Sequence, residues 1–230
     1  MRLSRVAAAV LAVLALSAVG STTGCTRLVD GTAHPNLNMP GSEITEDGAG
    51  IQIGYPDAPV QIEFYTEPQC PACAQLQHDF GDQLALAIGS GQLAVTYRPL
   101  TFLDHLGTDY SARVANAMFL AAGPGTTGAA FQAFVQDLWG HQQAEGSRGP
   151  TDDELASMAD DSGVDPDQIV SIVAGEEFID SEELNQVNAE LLIDTAYDVS
   201  TPTIYDLVND DLVDTSDPEW LAKLLATPTS

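Results

Sequence analysis

The chain has 230 residues, 44% of them apolar and 18% charged, which is enough for one well-packed domain with some elaboration and is not a disordered composition. Its formal net charge is −27, from 34 acidic and 7 basic side chains, and Lys223 is the one lysine. That balance speaks against charge-driven binding to nucleic acid or to an anionic membrane surface, both of which need clustered cations.

The first 25 residues stand apart. MRLSR carries two arginines, an uncharged apolar run extends from Val6 to Val19, and GSTTGC follows. A positive start, an apolar middle and small residues at the end describe an export signal. The run is too short to span a bilayer, which takes about 20 apolar residues. Gly24-Cys25 at its end resembles the lipobox of bacterial lipoproteins, in which the cysteine becomes the lipidated first residue of the mature chain; the departure is Thr22, where that pattern usually has leucine. An unlipidated exported protein with a free Cys25 thiol is the other reading. The chain has three cysteines, and setting aside the pair at Cys70 and Cys73 leaves Cys25, so a lipid there resolves the odd count. Export places the pair in an oxidising compartment.

Residues 26 to 50 are rich in Gly, Pro, Asn and Thr and lack a sustained apolar period, so they read as a flexible tether, with the folded part beginning near Ile51. Val60 to Thr66 is a strand of β-branched and aromatic residues. From Cys73, apolar Leu76, Phe80 and Leu84 recur at three and four residues, one face of a helix that starts at the cysteine pair. QLAVTYRPL after Gly91 is a second strand, so residues 59 to 99 form a strand–helix–strand unit with a parallel pair. Residues 109 to 196 read as five helical segments, with Thr151, Glu154 and Asp165 as capping residues. PTIYDLV and DLVDT around Asn209-Asp210 return to strand, and DPEWLAKLLA closes on a short helix. The helical block is thus inserted into an α/β frame.

The motif that carries chemistry is CPAC, residues 70 to 73. A zinc half-site, a structural disulfide and a redox pair are the chemistries open to it. Zinc needs about four ligands, and there is no second CxxC; His78 is near, but His34, His105 and His141 are scattered. A structural disulfide closing so short a loop restrains little chain entropy. The helix placement favours the redox pair. Pro71 suits the first helical position, and the unpaired N–H groups there stabilise a thiolate on Cys70, which makes it the attacking sulfur. Cys73, one turn in on the apolar face, is placed to resolve a mixed disulfide.

Together with Thr201-Pro202-Thr203 and the block containing FQAFVQDLW, the run GYPDAPVQIEFY leading into CPAC resembles the thioredoxin superfamily, and within it the DsbA-like branch of exported disulfide oxidoreductases. The resemblance spans roughly residues 51 to 226. It implies an α/β thioredoxin fold, a central mixed sheet flanked by helices, with a helical insertion at about 103–196 in a domain covering 51–230. It also implies Cys70 as nucleophile, Cys73 as resolving thiol in a redox-active disulfide, and Thr201 with Pro202 as a loop beside the sulfurs that aligns an extended substrate. No cofactor and no metal are implied. The expected partners are unfolded or partly folded exported proteins and a membrane redox partner, at the extracytoplasmic face of the membrane through Cys25. The expected reaction is donation of the disulfide to a substrate. An isomerase or reductase of the same fold, or an anchored binding lipoprotein with a closed disulfide, are the alternatives.

Three positions depart from the family pattern. Ala72 stands where strong oxidants have a histidine, which moves the potential away from the oxidising end of a range of about −270 to −120 mV. Phe64 occupies the position six before the first cysteine where relatives place a buried acid, and Glu63 beside it should face the other side of the sheet. Proton transfer from Cys73 then falls to water or to Glu67, itself readable as a solvated loop residue. Gln69 replaces a tryptophan common before the motif, an argument against a dedicated reductase. His78, His105 and His141 read as surface or packing residues, Met118 and Phe119 as core, and Trp139 as core or as a wall of the groove beside the site. The acid run from Asp152 to Asp167 lacks calcium-loop spacing.

Overall fold

A computed structural model describes residues 40–104 and 107–226. The export signal, Cys25, most of the tether and His105 lie outside the described residues. Six strands form one sheet: β1 (Ser42–Ile44), β2 (Ile51–Ile53), β3 (Val60–Thr66), β4 (Leu93–Pro99), β5 (Thr203–Asp206) and β6 (Asp211–Leu212), in the order β1-β2-β4-β3-β5-β6. β3 and β4 are parallel, with Phe64 opposite Tyr97, and the other neighbours are antiparallel. This is the mixed sheet of a thioredoxin fold. Helix α1 (Pro71–Gly89) connects the parallel pair, and five helices lie between β4 and β5: α2 (Tyr110–Ala121), α3 (Gly128–Gly140), α4 (Asp152–Ser162), α5 (Pro166–Val173) and α6 (Ser181–Ala196). Helix α7 (Trp220–Ala226) ends the described chain. Among the described residues no helix is long and apolar enough to cross a membrane.

The fold begins earlier than composition suggests. Residues 42–44, assigned above to the tether, form edge strand β1, where Ser42 is buried and donates through Oγ to the Thr126 carbonyl at 3.0 Å. Three residues are too few for alternation to declare a strand. The short strand is held by pairing with β2 and by this contact with the segment before α3.

Every residue of β4 is buried, so both of its faces are covered. On one face Tyr97 joins a closed ring of hydrogen bonds with α1 and α3. Its hydroxyl donates to Gln132 Oε1 at 2.6 Å and accepts from Gln77 Nε2 at 3.3 Å, and Gln132 Nε2 donates to Gln77 Oε1 at 3.2 Å. Phe64 and Phe131 pack beside it at ring separations of 5.4 and 6.2 Å. On the other face Arg98 donates to Glu63 Oε1 at 2.6 Å and Asp47 Oδ2 at 2.9 Å, and Tyr65 donates to the second oxygen of Glu63 at 2.7 Å. Glu63 therefore does lie opposite the cysteine face, as alternation along β3 requires.

Helix α6 closes this second face through Asn188. Its amide donates to the carbonyls of Ala49 at 2.9 Å and Pro99 at 2.8 Å, and its oxygen accepts from Arg98 at 3.4 Å. The helical block also follows its caps, with a full capping box at Thr151 and Glu154 and an Asp165 cap on α5. Met118 and Phe119 are core. Because Asn188 serves three buried groups, Asn188→Leu should lower unfolding free energy by about 2–4 kcal/mol, the cost of leaving buried carbonyls and a cation without partners, read from denaturant midpoints.

Candidate active site

Strand β3 ends at Thr66, and the chain turns through Glu67, Pro68 and Gln69 before α1. Cys70 is the N-cap residue, with φ −75° and ψ 116°, and Pro71 follows at the first helical position. No side-chain oxygen caps this helix, and no acid occupies its first turn. The N–H groups there are donors in search of an acceptor, and a sulfur sits where the cap would be. Both cysteines are free thiols and both are buried, Cys70 with 8% of its surface still exposed and Cys73 with none.

The proton affinities of the two sulfurs are shifted in opposite directions. The Cys70 thiol is pulled down to about 5, first by a hydrogen bond from the Cys73 thiol, then, against the opposing effect of burial, by Thr201 and the N–H groups of Cys73 and Ala72. Burial and the neighbouring Cys70 push Cys73 well above the ordinary thiol range. A sulfur drawn toward the thiolate beside one held as the thiol is an arrangement that thiol–disulfide exchange can use.

Thr201 arrives from 131 residues away, on the loop between α6 and β5. Its carbonyl lies 3.3 Å from Cys70 Sγ, and the bond to Pro202 is cis. Thus the structure brings together Cys70, Cys73, Thr201 and Pro202. Among the described residues, His78 and His141 are not part of this group: both are exposed and pair with Asp79 and Asp137, each at 2.9 Å. Trp139 is buried and also lines a groove of about 470 Å³ with Pro71, Ala74 and Gln142 beside the start of α1. Among the described residues no group of three or more His, Cys, Asp or Glu is arranged to hold a metal ion.

At Glu67 the structure decides between the two readings left open above. The residue is not solvated but fully buried, with Oε1 accepting from the Ser111 hydroxyl and Oε2 from the Gln69 N–H at 2.6 Å. Burial raises its carboxyl to about 7; the bonds from Ser111 and Gln69 oppose the rise, and the nearby Asp104 and Cys70 add to it. An acid that titrates near neutrality beside a cysteine pair is suited to proton exchange with it.

Gln69 turns out to be a clamp. Its Nε2 donates to Asp104 Oδ1 and Ser111 Oγ, both at 2.9 Å, and its Oε1 accepts from the Gly146 N–H at 2.8 Å. Asp104 in turn accepts from the Ser111 and Ala112 N–H groups at 2.9 and 2.8 Å, capping α2. From the segment after α3, Gln142 Nε2 donates to the carbonyls of Pro68 at 2.8 Å and Cys70 at 2.9 Å. The turn before the cysteines is therefore fastened to the helical block at several points. Periodicity and motif spacing missed Gln69, Asp104, Ser111 and Gln142 as a group, since the bonds that tie the turn before the cysteines to the helical block span 35 to 77 residues.

A thioredoxin family model matches residues 46–226. Among solved structures, the chain is similar to the MdbA protein, a thiol-disulfide oxidoreductase from Corynebacterium diphtheriae, with a TM-score of 0.67 at 22% identity over 81% of this chain and 93% of that one. It is likewise similar to reduced DsbA from Mycobacterium tuberculosis, with a TM-score of 0.61 at 22% identity over 79% of this chain and 94% of that one. Curated relatives include the serine/threonine-protein kinase PknE of M. tuberculosis and M. bovis, 29% identical over 181 residues, which is 76% of this chain. The chain spans about 31% of the length of those kinases.

The Glu67 carboxyl yields a pH-dependent prediction. A group whose proton affinity is higher in the folded than in the unfolded chain stabilises the fold fully below its unfolded value, near 4.5, and that contribution is lost as pH rises through about 7. Cys70, shifted the other way, contributes in the opposite sense, so the comparison is made against Glu67→Gln in the reduced protein. Relative to that variant, the parent should lose roughly 2–3 kcal/mol of unfolding free energy between pH 5 and pH 8, measured by chemical denaturation.

Proposed function

The chain belongs to the thioredoxin family whose model spans residues 46–226, and on that premise we propose that it is an exported thiol–disulfide oxidoreductase that introduces disulfides into unfolded or partly folded proteins. The observation that carries this reading is the split between the sulfurs: Cys70, the outer of the two, has its thiol drawn down to about 5, and one turn behind it the fully enclosed Cys73 is pushed up. A structural disulfide has no use for such a difference. Thiol–disulfide exchange needs it, because the sulfur that meets substrate must also be a good leaving group.

In the oxidising direction a substrate thiolate attacks Cys70 Sγ, the Cys70–Cys73 bond breaks, and its electron pair leaves on Cys73. A second substrate thiol then attacks the substrate sulfur of the mixed disulfide and expels Cys70 as a thiolate. The substrate loses two electrons and two protons; the pair gains the electrons, Cys73 gains a proton passed through Glu67, which is reprotonated by one of the substrate's two protons, and the other proton passes to water. A membrane redox partner restores the disulfide. Thr201 and Pro202, beside Cys70 Sγ, are the residues along which an extended substrate segment would lie.

The oxidising direction is supported by the stabilised Cys70 thiolate, since whatever stabilises the reduced pair makes the disulfide a stronger oxidant. Ala72 removes the histidine that strong oxidants use. The Cys73 thiol, Thr201 and the main-chain N–H groups of Ala72 and Cys73 take over part of its role. Export and membrane attachment rest on the first 25 residues, with Cys25 as the lipidated residue.

Cys73→Ser should trap substrates as mixed disulfides on Cys70, visible as high-mass species that collapse on reduction, and Cys70→Ser should abolish them. An equilibrium potential against glutathione near −270 mV, together with failure to oxidise a reduced unfolded protein, would turn the assignment to a reductase. Mass spectrometry of the mature N-terminus should find Cys25 as the first residue and carrying lipid.

A further inference from the structure

One buried hydroxyl at the site is not used by anything described so far. Thr66, the last residue of β3, is 1% exposed, and its Oγ1 has no hydrogen-bond partner. Its carbonyl is satisfied by the Leu100 N–H at 2.8 Å, so the main chain there is settled and the side chain alone is orphaned. Leaving a buried hydroxyl unpaired costs stability, and such a group in a site calls for a reason.

Its surroundings supply one. By alternation along β3, Thr66 shares the face of Ile62 and Phe64, the face that α1 covers, and it stands at the end of the strand nearest the first turn of that helix. Cys73 occupies that turn and is fully buried. The Thr66 hydroxyl and the main-chain N–H of Glu67 are the two groups that favour a charged Cys73 sulfur, against the burial and the Cys70 charge that disfavour it. In the structure as it stands the hydroxyl makes no bond.

We propose that Thr66 Oγ–H, with the Glu67 N–H, forms a receiving site for the Cys73 thiolate at the moment its bond to Cys70 breaks. The inference rests on the thiol–disulfide exchange reading and concerns one step of it. A substrate thiolate bonds to Cys70 Sγ, the Cys70–Cys73 bond breaks, the substrate sulfur is oxidised, and the electron pair settles on Cys73 before a proton reaches it. For that interval a full negative charge sits in a buried place. A donor that is idle in the resting thiol state and engaged by the thiolate lowers the barrier without deepening the ground state. The same site serves the reverse step, in which Cys73 must ionise to attack.

The test compares Thr66→Val, which keeps the shape and removes the hydroxyl, with Thr66→Ser, which keeps the hydroxyl. Oxidised protein is mixed with a dithiol peptide, quenched with acid and analysed by mass. Thr66→Val should slow opening of the Cys70–Cys73 bond by about tenfold, and Thr66→Ser should stay within about twofold of the parent, given the worth of a hydrogen bond to a charged group. In a Cys70→Ser background, the ultraviolet absorbance of the Cys73 thiolate should appear at higher pH by about one unit in the valine variant and stay put in the serine variant. Should the valine variant not fold, Thr66→Ala read against Thr66→Ser gives the same comparison. Unchanged Cys73 titration and opening within twofold in the valine variant overturn the proposal, as does a serine variant as slow as the valine one, which would assign the effect to packing of the methyl group. Failure of Cys73→Ser to trap any substrate would instead overturn the exchange reading, and the Cys73 titration would still report on Thr66.

Discussion

The first turn of α1 presents N–H groups that no side-chain oxygen caps, and the sulfur of Cys70 is the acceptor that meets them. The chemistry of the site depends on this constraint. A helix start buried without a partner is costly, so the local structure itself favours charge on that sulfur. The favour is useful only if the sulfur is held in place, and a residue at the junction of a strand and a helix is held by whatever holds the junction. Here Gln69, on one side of Cys70, is bonded to Asp104, Ser111 and Gly146, and the carbonyl of Cys70 itself is held by Gln142.

The sheet beneath the site is stabilised by two different chemistries on its two faces. Toward α1 and α3 the polar centre is neutral, the closed ring of Gln77, Tyr97 and Gln132. Toward α6 it is ionic, Arg98 between Glu63 and Asp47. The arrangement keeps the ionic cluster on the far side of β3 from the cysteines. The charge that acts on the sulfur pair is then local, from Glu67 and from the helix start, with Asp104 acting on Glu67, while Arg98 is engaged by its own carboxylates. The buried ion pair contributes to position more than to net stability, since desolvation offsets much of its attraction.

Much of this was legible in the sequence, for reasons that can be named. Val60 to Thr66 and the helix from Cys73 declare themselves through period two and through spacings of three and four, because each buries one face. The caps at Thr151 and Asp165 are local chemistry and so are readable locally. The cysteine pair's asymmetry follows from its place at a helix start. What escaped is what depends on distant chain. β1 is three residues long and is defined by its pairing with β2 and by contact with Thr126. Glu67 could be named as a proton-transfer candidate, but its burial could not be read until the helical block closes over it. Gln69 could be compared with the tryptophan that relatives carry, but its three partners become neighbours only in the folded chain. Thr66 reads as the end of a strand, and its hydroxyl is informative only because nothing meets it.

The clamp at Gln69 has a consequence for how such a protein can change over generations. The helical block occupies the loop between two strands and looks like a segment that could be lengthened, trimmed or exchanged. Asp104, Ser111 and Gly146, however, belong to it or to its approaches, and through Gln69 and Glu67 they set the surroundings of the sulfur. A block taken from another member would arrive without the right partners, and the reactivity of Cys70 would drift even though no residue of the CPAC motif had changed. Frame and insertion are therefore one heritable unit, and variation in this part of the chain has to move in concert across it.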